Sequence, residues 1–161
     1  MISPIRAAAV ASLLLATASV PLQAANPPAP AQSAANVVRA RIASYRELGA
    51  AFKNAMDSLR GEPQLIMIRQ SARQIKSASQ GQYNWFPAGT GPRRTLKTLA
   101  KPEIWTRAAE FRAAQDNFAR QADVFQAAAT GSDATAIRTA ARSLGGACKT
   151  CHDTFRTPPK S

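Results

Sequence analysis

Apolar positions recur at helical spacing in four segments of the chain, and no period-two alternation persists anywhere. The first segment runs from about residue 34 to 60. Its stripe of Val38, Ile42, Tyr45, Gly49, Phe52, Met56 and Leu59 steps by four and three, the seam of a packed helix, and Gly61 follows as a stop. The second opens near Pro63, a residue suited to a first helical turn. It carries Leu65, Ile68, Ala72 and Ile75 and fades at Ser79–Gly81. The third opens at Pro102–Glu103 and continues through Ile104, Ala108, Phe111, Gln115, Phe118, Ala122, Phe125 and Ala129 to Gly131. The fourth has Ser132 or Asp133 as its N-cap and a stripe of Ile137, Ala141, Leu144, Cys148, Cys151 and Phe155. Residues 80–102 read as a loop marked by Gly81, Pro87, Gly89, Gly91 and Pro92. Two short connections and one long one predict an all-α chain, an antiparallel up-down four-helix bundle over residues 34–157.

Two features strain this simple pattern. Leu65, Ile66, Met67 and Ile68 are consecutive, and four apolar neighbours cannot all face one core. The surplus faces either a second copy of the chain or the long loop. Gly145 and Gly146 lie inside the fourth stripe, each costing about 1 kcal/mol against Ala in a helix. A close approach by a neighbouring group, or a local kink, accounts for them.

The first residues belong to no bundle. Arg6 followed by the apolar run 7–20 and the small residues Ala24 and Ala25 reads as an export signal over residues 1–25. The run is too short to span a bilayer, which takes about 20 residues; an uncleaved anchor is the alternative. Residues 26–33 are a proline-rich flexible leader, and 158–161 a short tail. Export points to the periplasm.

Charge adds a partner class. The chain has 21 Lys and Arg against 9 Asp and Glu, and the export signal holds only Arg6 of that excess. Arg93, Arg94, Lys97 and Lys101 crowd the long loop, while Lys149, Arg156 and Lys160 surround the end of the last helix. Such a field steers an acidic protein partner. Nucleic acid is disfavoured, because an exported chain rarely meets it and no binding motif is present.

The chemistry is concentrated in Cys148-Lys149-Thr150-Cys151-His152, which contains both cysteines and the one histidine of the 161 residues. C-x-x-C-H is the attachment pattern of a c-type haem. At i, i+3 and i+4 the three side chains share one helix face. Two thiols then reach the vinyl edge of a porphyrin while His152 ligates the iron. Other readings are a disulfide, which would close only a tiny loop, a redox pair, which lacks its βαβ setting, and a zinc site, which lacks a fourth strong ligand. A covalent haem c, one per chain, also gives Trp85 and Phe86 a role: they cover either a haem edge or bundle core.

Three stretches resemble the cytochrome c′ family of class II c-type cytochromes over roughly residues 34–157. They are the C-terminal motif Cys148–Arg156, the first-helix run Ala40–Gly49, and Pro102-Glu103-Ile104-Trp105 opening the third helix. The resemblance implies that Cys148 and Cys151 form thioethers and His152 is the proximal ligand. It implies that Arg156 stands near that imidazole, with an ordinary helix-end charge as the alternative. Arg41 would contact a haem propionate or be a plain surface charge. Tyr45 would lie over the distal side of the iron or be core. Met56 and Met67 are badly placed as sixth ligands, so the iron is expected to be five-coordinate. The resemblance further implies electron transfer, binding of small gases such as nitric oxide and carbon monoxide, and a homodimer built on the first two helices. A dedicated gas scavenger, a six-coordinate low-spin carrier and a bundle without haem are the competing readings. Enzymatic turnover is not expected, since no second histidine and no carboxylate pair is at hand.

Overall fold

The computed structural model describes residues 33–158. The export signal, most of the proline-rich leader and residues 159–161 lie outside the described residues. The described chain forms α1 (Ala34–Ser58), α2 (Leu65–Gly81), a short 3-10 turn (Gln82–Asn84), α3 (Glu103–Thr106), α4 (Ala108–Thr130) and α5 (Ala134–Phe155). None of these helices is long and apolar enough to cross a membrane.

Local chemistry explains where the helices begin and end. Ser33 is extended, and its hydroxyl accepts from the Asn36 N–H at the start of α1. Asp133 does the same for α5, accepting from the N–H groups of Thr135 and Ala136. After α1, Gly61 adopts a left-handed φ of 62° and turns the chain. Two helix ends are capped from a neighbouring helix. Arg138 of α5 donates to the carbonyls of Leu59 and Gly61 beyond α1. Arg69 of α2 donates to those of Ala129, Thr130 and Gly131 at the end of α4. Each guanidinium meets the negative end of a helix dipole and ties two helices together.

α1 packs on α2, α2 on α4 and α4 on α5, so sequential neighbours make an up-and-down bundle of four long helices. Phe125, Ile68, Ile75, Ile137 and Leu144 are fully buried at its centre. Each such side chain contributes roughly 1.5–3 kcal/mol by leaving water. α1 and α5 meet through side chains: the ring of Phe52 lies across Gly145, where an added Cβ would come within 3.2 Å of it. Close approach therefore accounts for Gly145. Gly146 has open space around its missing Cβ, and nothing in the structure explains it. Of the four consecutive apolar residues in α2, Ile68 is buried, whereas Ile66 is 78% and Met67 42% exposed.

The third predicted helix is not continuous. Arg107, at φ −120° and ψ 50°, breaks it into α3 and α4. The cause lies outside the helix. The Trp105 indole N–H donates to the carbonyls of Phe86 and Pro87, both at 3.2 Å, while Ile104 and Phe111 pack with Phe155. The break satisfies both demands. The long loop likewise starts at Trp85 rather than at residue 80. Before it, the buried Gln82 amide donates to the carbonyls of Ser79 and Gln115, and Gln115 donates back to that of Gln82.

Candidate haem-attachment site

The core divides in two, and the Cys148–His152 motif straddles the division. Cys148 packs on the main bundle core beside the α5 stripe. Cys151 packs on a second cluster made by Ile104, Phe111 and Phe155 with Phe86, Ala100, Trp105 and Ala114 at its edge. Both thiols are free and half-buried. His152 follows on the same turn and is exposed. An α-helix carries all three because the stripe that buries Leu144 and Phe155 runs through them.

Burial raises both thiols above their usual range; Cys151, which also feels Cys148, is pushed up to about 11. The His152 imidazole is lowered by what burial it has and by the Arg156 guanidinium, against the Asp153 carboxylate. The neutral imidazole, the form that ligates iron, is thereby favoured. Two neutral thiols along an apolar wall and one neutral imidazole beside them fit the donor set that a covalently attached haem needs. Among the described residues no three His, Cys, Asp or Glu side chains converge as a metal cluster would require.

Across from the motif stands α1. The Tyr45 ring packs edge-on against Trp85 at 4.8 Å and tilted against Phe86 at 6.0 Å. Phe86 continues edge-to-face onto Phe111, and Phe111 onto Phe155, so one aromatic chain runs from α1 to the end of α5. Burial first, then Cys151, push the Tyr45 phenol far above its ordinary value, with Arg41 opposing. Tyr45 is a neutral phenol at any physiological pH.

Arg41, one turn before Tyr45, is only 3% exposed. Its guanidinium donates to the Trp85 carbonyl, to the hydroxyl and carbonyl of Thr90 and to the Thr98 hydroxyl, and it lies 4.6 Å over the Phe86 ring. It is therefore no plain surface charge. It binds the long loop to α1. The loop's other end is held by α5: Lys101 N–H donates to the Phe155 carbonyl at 2.9 Å, and Thr157 N–H to that of Leu99 at 2.7 Å. Residues 85–101 thus form a strap from α1 to the chain just past the motif. Arg156 lies in that pairing with extended backbone, opposite Ala100, and is exposed.

The structure brings Arg41, Tyr45, Trp85, Phe86 and Cys151 into one neighbourhood, with Cys148 on its core side and His152 and Arg156 on its solvent side. Trp105, Thr90 and Thr98 belong there too. Trp105 had a signal, as the last residue of Pro102–Trp105. The two threonines had none, being single polar residues in a polar loop.

Both tyrosines of the chain have raised phenols, Tyr83 through burial and its 2.8 Å hydrogen bond to Asp116. An ordinary phenol titrates near 10. A native state that holds its phenol protons more tightly than the unfolded chain loses stability as pH rises past the ordinary value. Phenolate absorbance should therefore appear only above pH 10, together with the onset of alkaline unfolding. Phenolate forming at or below pH 10 in folded protein would show that the rings are wet.

Comparison with known proteins agrees with this arrangement. The family model described as Cytochrome C′ matches residues 36–156. A cytochrome c′ of Rubrivivax gelatinosus is 44% identical over 68 residues, 42% of this chain and 53% of that protein. The chain thus spans about half the length of the curated relatives it matches first. Solved structures match far more. The crystal structure of cytochrome c′ from Thermochromatium tepidum superposes with a TM-score of 0.74 at 25% identity, covering 79% of this chain and 98% of that one. A nitric oxide complex of an L16A mutant of the Alcaligenes xylosoxidans protein superposes with a TM-score of 0.71 at 25% identity, covering 79% and 98%.

Proposed function

The chain belongs to the cytochrome c′ family, whose members carry one covalent haem c, and on that premise we propose that it is a periplasmic electron carrier whose haem iron also takes up small neutral gases. Cys148 and Cys151 hold the group by thioethers, and His152 is its protein ligand. Bound there, the haem would supply a one-electron couple and an iron coordination position for a small ligand. The chain determines what enters that position.

The observation that carries this reading is Tyr45. It is half-buried against Trp85 and near the motif cysteines, and it keeps its proton. A protonated phenol is a poor iron ligand, whereas ionised tyrosine is a good one. Among the described residues no methionine takes its place: Met56 packs on the main core, and Met67 is exposed on α2. That a related cytochrome c′ forms a nitric oxide complex supports small gases as the ligand class.

Arg41 and the strap exclude water from the edge of the site, and Arg156 favours neutral His152. In this reading the protein is a carrier and binder rather than a catalyst. The outward faces of Ile66 and Met67 suit a homodimer through α1 and α2, and the cationic surface suits an acidic redox protein. The test is the absorption spectrum of ferric and ferrous protein, before and after nitric oxide or carbon monoxide. High-spin spectra that change on gas addition are expected. A low-spin spectrum that ignores both gases would overturn the reading.

A further inference from the structure

We infer that the strap segment carrying Arg93, Arg94, Lys97 and the exposed Leu99 is where an acidic one-electron redox protein docks; this rests on the electron-carrier reading above.

The charge is local. From residue 63 to 102 the chain has no acidic residue, yet it has Arg69, Arg73, Lys76, Arg93, Arg94, Lys97 and Lys101. Several other cations have acidic partners: Lys53 with Asp57, Lys76 with Asp123, Arg107 with Glu110, Arg112 with Asp116 and Lys149 with Asp153. Among the described residues Arg93, Arg94 and Lys97 form no ion pair, and all three are exposed. What sets the strap apart is three such cations within five residues and no acid in the surrounding stretch 63–102.

The face is also rigid. Leu96 N–H donates to the Arg93 carbonyl at 2.9 Å, which sets Arg93 and Arg94 on a tight turn whose Leu96 is buried. Arg41 anchors Thr90 and Thr98, and the pairing of Leu99–Lys101 with Phe155–Thr157 anchors the rest. A partner therefore pays little ordering entropy to meet these cations. Leu99, two residues beyond Lys97 and 39% exposed, adds an apolar contact to the charged segment. One exposed leucine is too little apolar surface for insertion into a lipid surface, but enough for a small protein contact.

The position suits the exchange. The strap is hydrogen-bonded to the residues directly after His152, so a docked protein lies against the end of the motif. One electron would pass from the partner, which is oxidised, to the haem held by Cys148, Cys151 and His152, which is reduced, with no bond made or broken.

The test uses haem-loaded protein, reduced flavodoxin as an acidic one-electron donor, and hydroquinone as an uncharged one, with rates followed by stopped flow. The triple variant R93E/R94E/K97E should slow reduction by flavodoxin roughly tenfold or more at low salt and flatten its ionic-strength dependence. Its reduction by hydroquinone should match the native rate. A control with the same charge change on other faces, R73E/R120E/R142E, should slow flavodoxin far less. Equal slowing by both triples would show a net-charge effect and overturn the docking face, as would a strap variant with the native rate. A native protein that neither donor reduces would instead overturn the carrier reading and the inference with it. In a parallel arm, native protein should not sediment with anionic phospholipid vesicles. Strap-dependent sedimentation would reassign the face to a lipid surface.

Discussion

Exported by a host that attaches c-type haem, the variant C148S/C151S is expected to release all its haem into acidified acetone, whereas the native protein retains it. The two residues are the chain's only cysteines, so no other thiol can substitute. Both are free, and both sit on the inner side of α5, one against the main core and one against the aromatic cluster. Serine has nearly the same shape, but its hydroxyl does not form the thioether. The cost to packing is small because neither thiol is fully buried, so the variant should still fold as a helical bundle by circular dichroism. Each single variant keeps one sulfur and should hold haem through one bond, visible as a shifted pyridine haemochrome band. Haem that resists extraction from the double variant would refute attachment through this motif.

Replacing Arg41 with Met is expected to lower stability by about 3 kcal/mol. Hydrogen bonds from a charged donor contribute about 1.5–3 kcal/mol each, but they are not additive. The guanidinium makes four, two of them to the carbonyls of Trp85 and Thr90. It also stacks on Phe86, a contact that adds about 0.5–1 kcal/mol. Against this, burial already costs the cation something, as the lowering of its pKa indicates. The two opposing effects leave a net loss near one good charged contact, with the freed carbonyls exposed to water as the strap detaches. Thermal unfolding followed by circular dichroism should show a fall in Tm of roughly 10 °C for a domain of this size. Amide exchange should speed up over residues 85–101 but not in α4. Lys in place of Arg41 keeps the charge but not the planar fork, and should recover only part of the loss. An unchanged Tm with unchanged exchange would show that the strap does not depend on this side chain.

These two sites were unequally readable in the amino-acid order. The C-x-x-C-H motif and the helices that carry it follow from nearest-neighbour rules: Asp133 caps its own helix, and Ile137 to Phe155 recur at the helical period. What depends on distant partners was hidden. Arginine is normally a surface residue, so nothing local marked Arg41 as buried. Its partners are Thr90 and Thr98, residues with no pattern of their own. The break at Arg107 was hidden for the same reason. Arginine is a good helix former and the stripe Ile104–Ala108–Phe111 runs straight through it, while the hold on Trp105 comes from Phe86 and Pro87 in the loop. The Gly145 contact lay between these cases: the glycine was visible, but the ring of Phe52 that requires it was not.

The strap also bears on the order of assembly. Its anchors are far apart along the chain, 57 residues from Arg41 to Thr98 and 52 from Lys101 to Asp153. Helical hairpins of adjacent segments close much smaller loops and form sooner, because chain entropy opposes distant contacts most. The strap therefore latches after the hairpins, and the α1–α5 contact of Arg138 with Leu59, 79 residues apart, closes later still. Until both close, α5 is not yet held against α1 or the strap, giving the attachment apparatus an interval in which to deliver its cargo before the gate shuts.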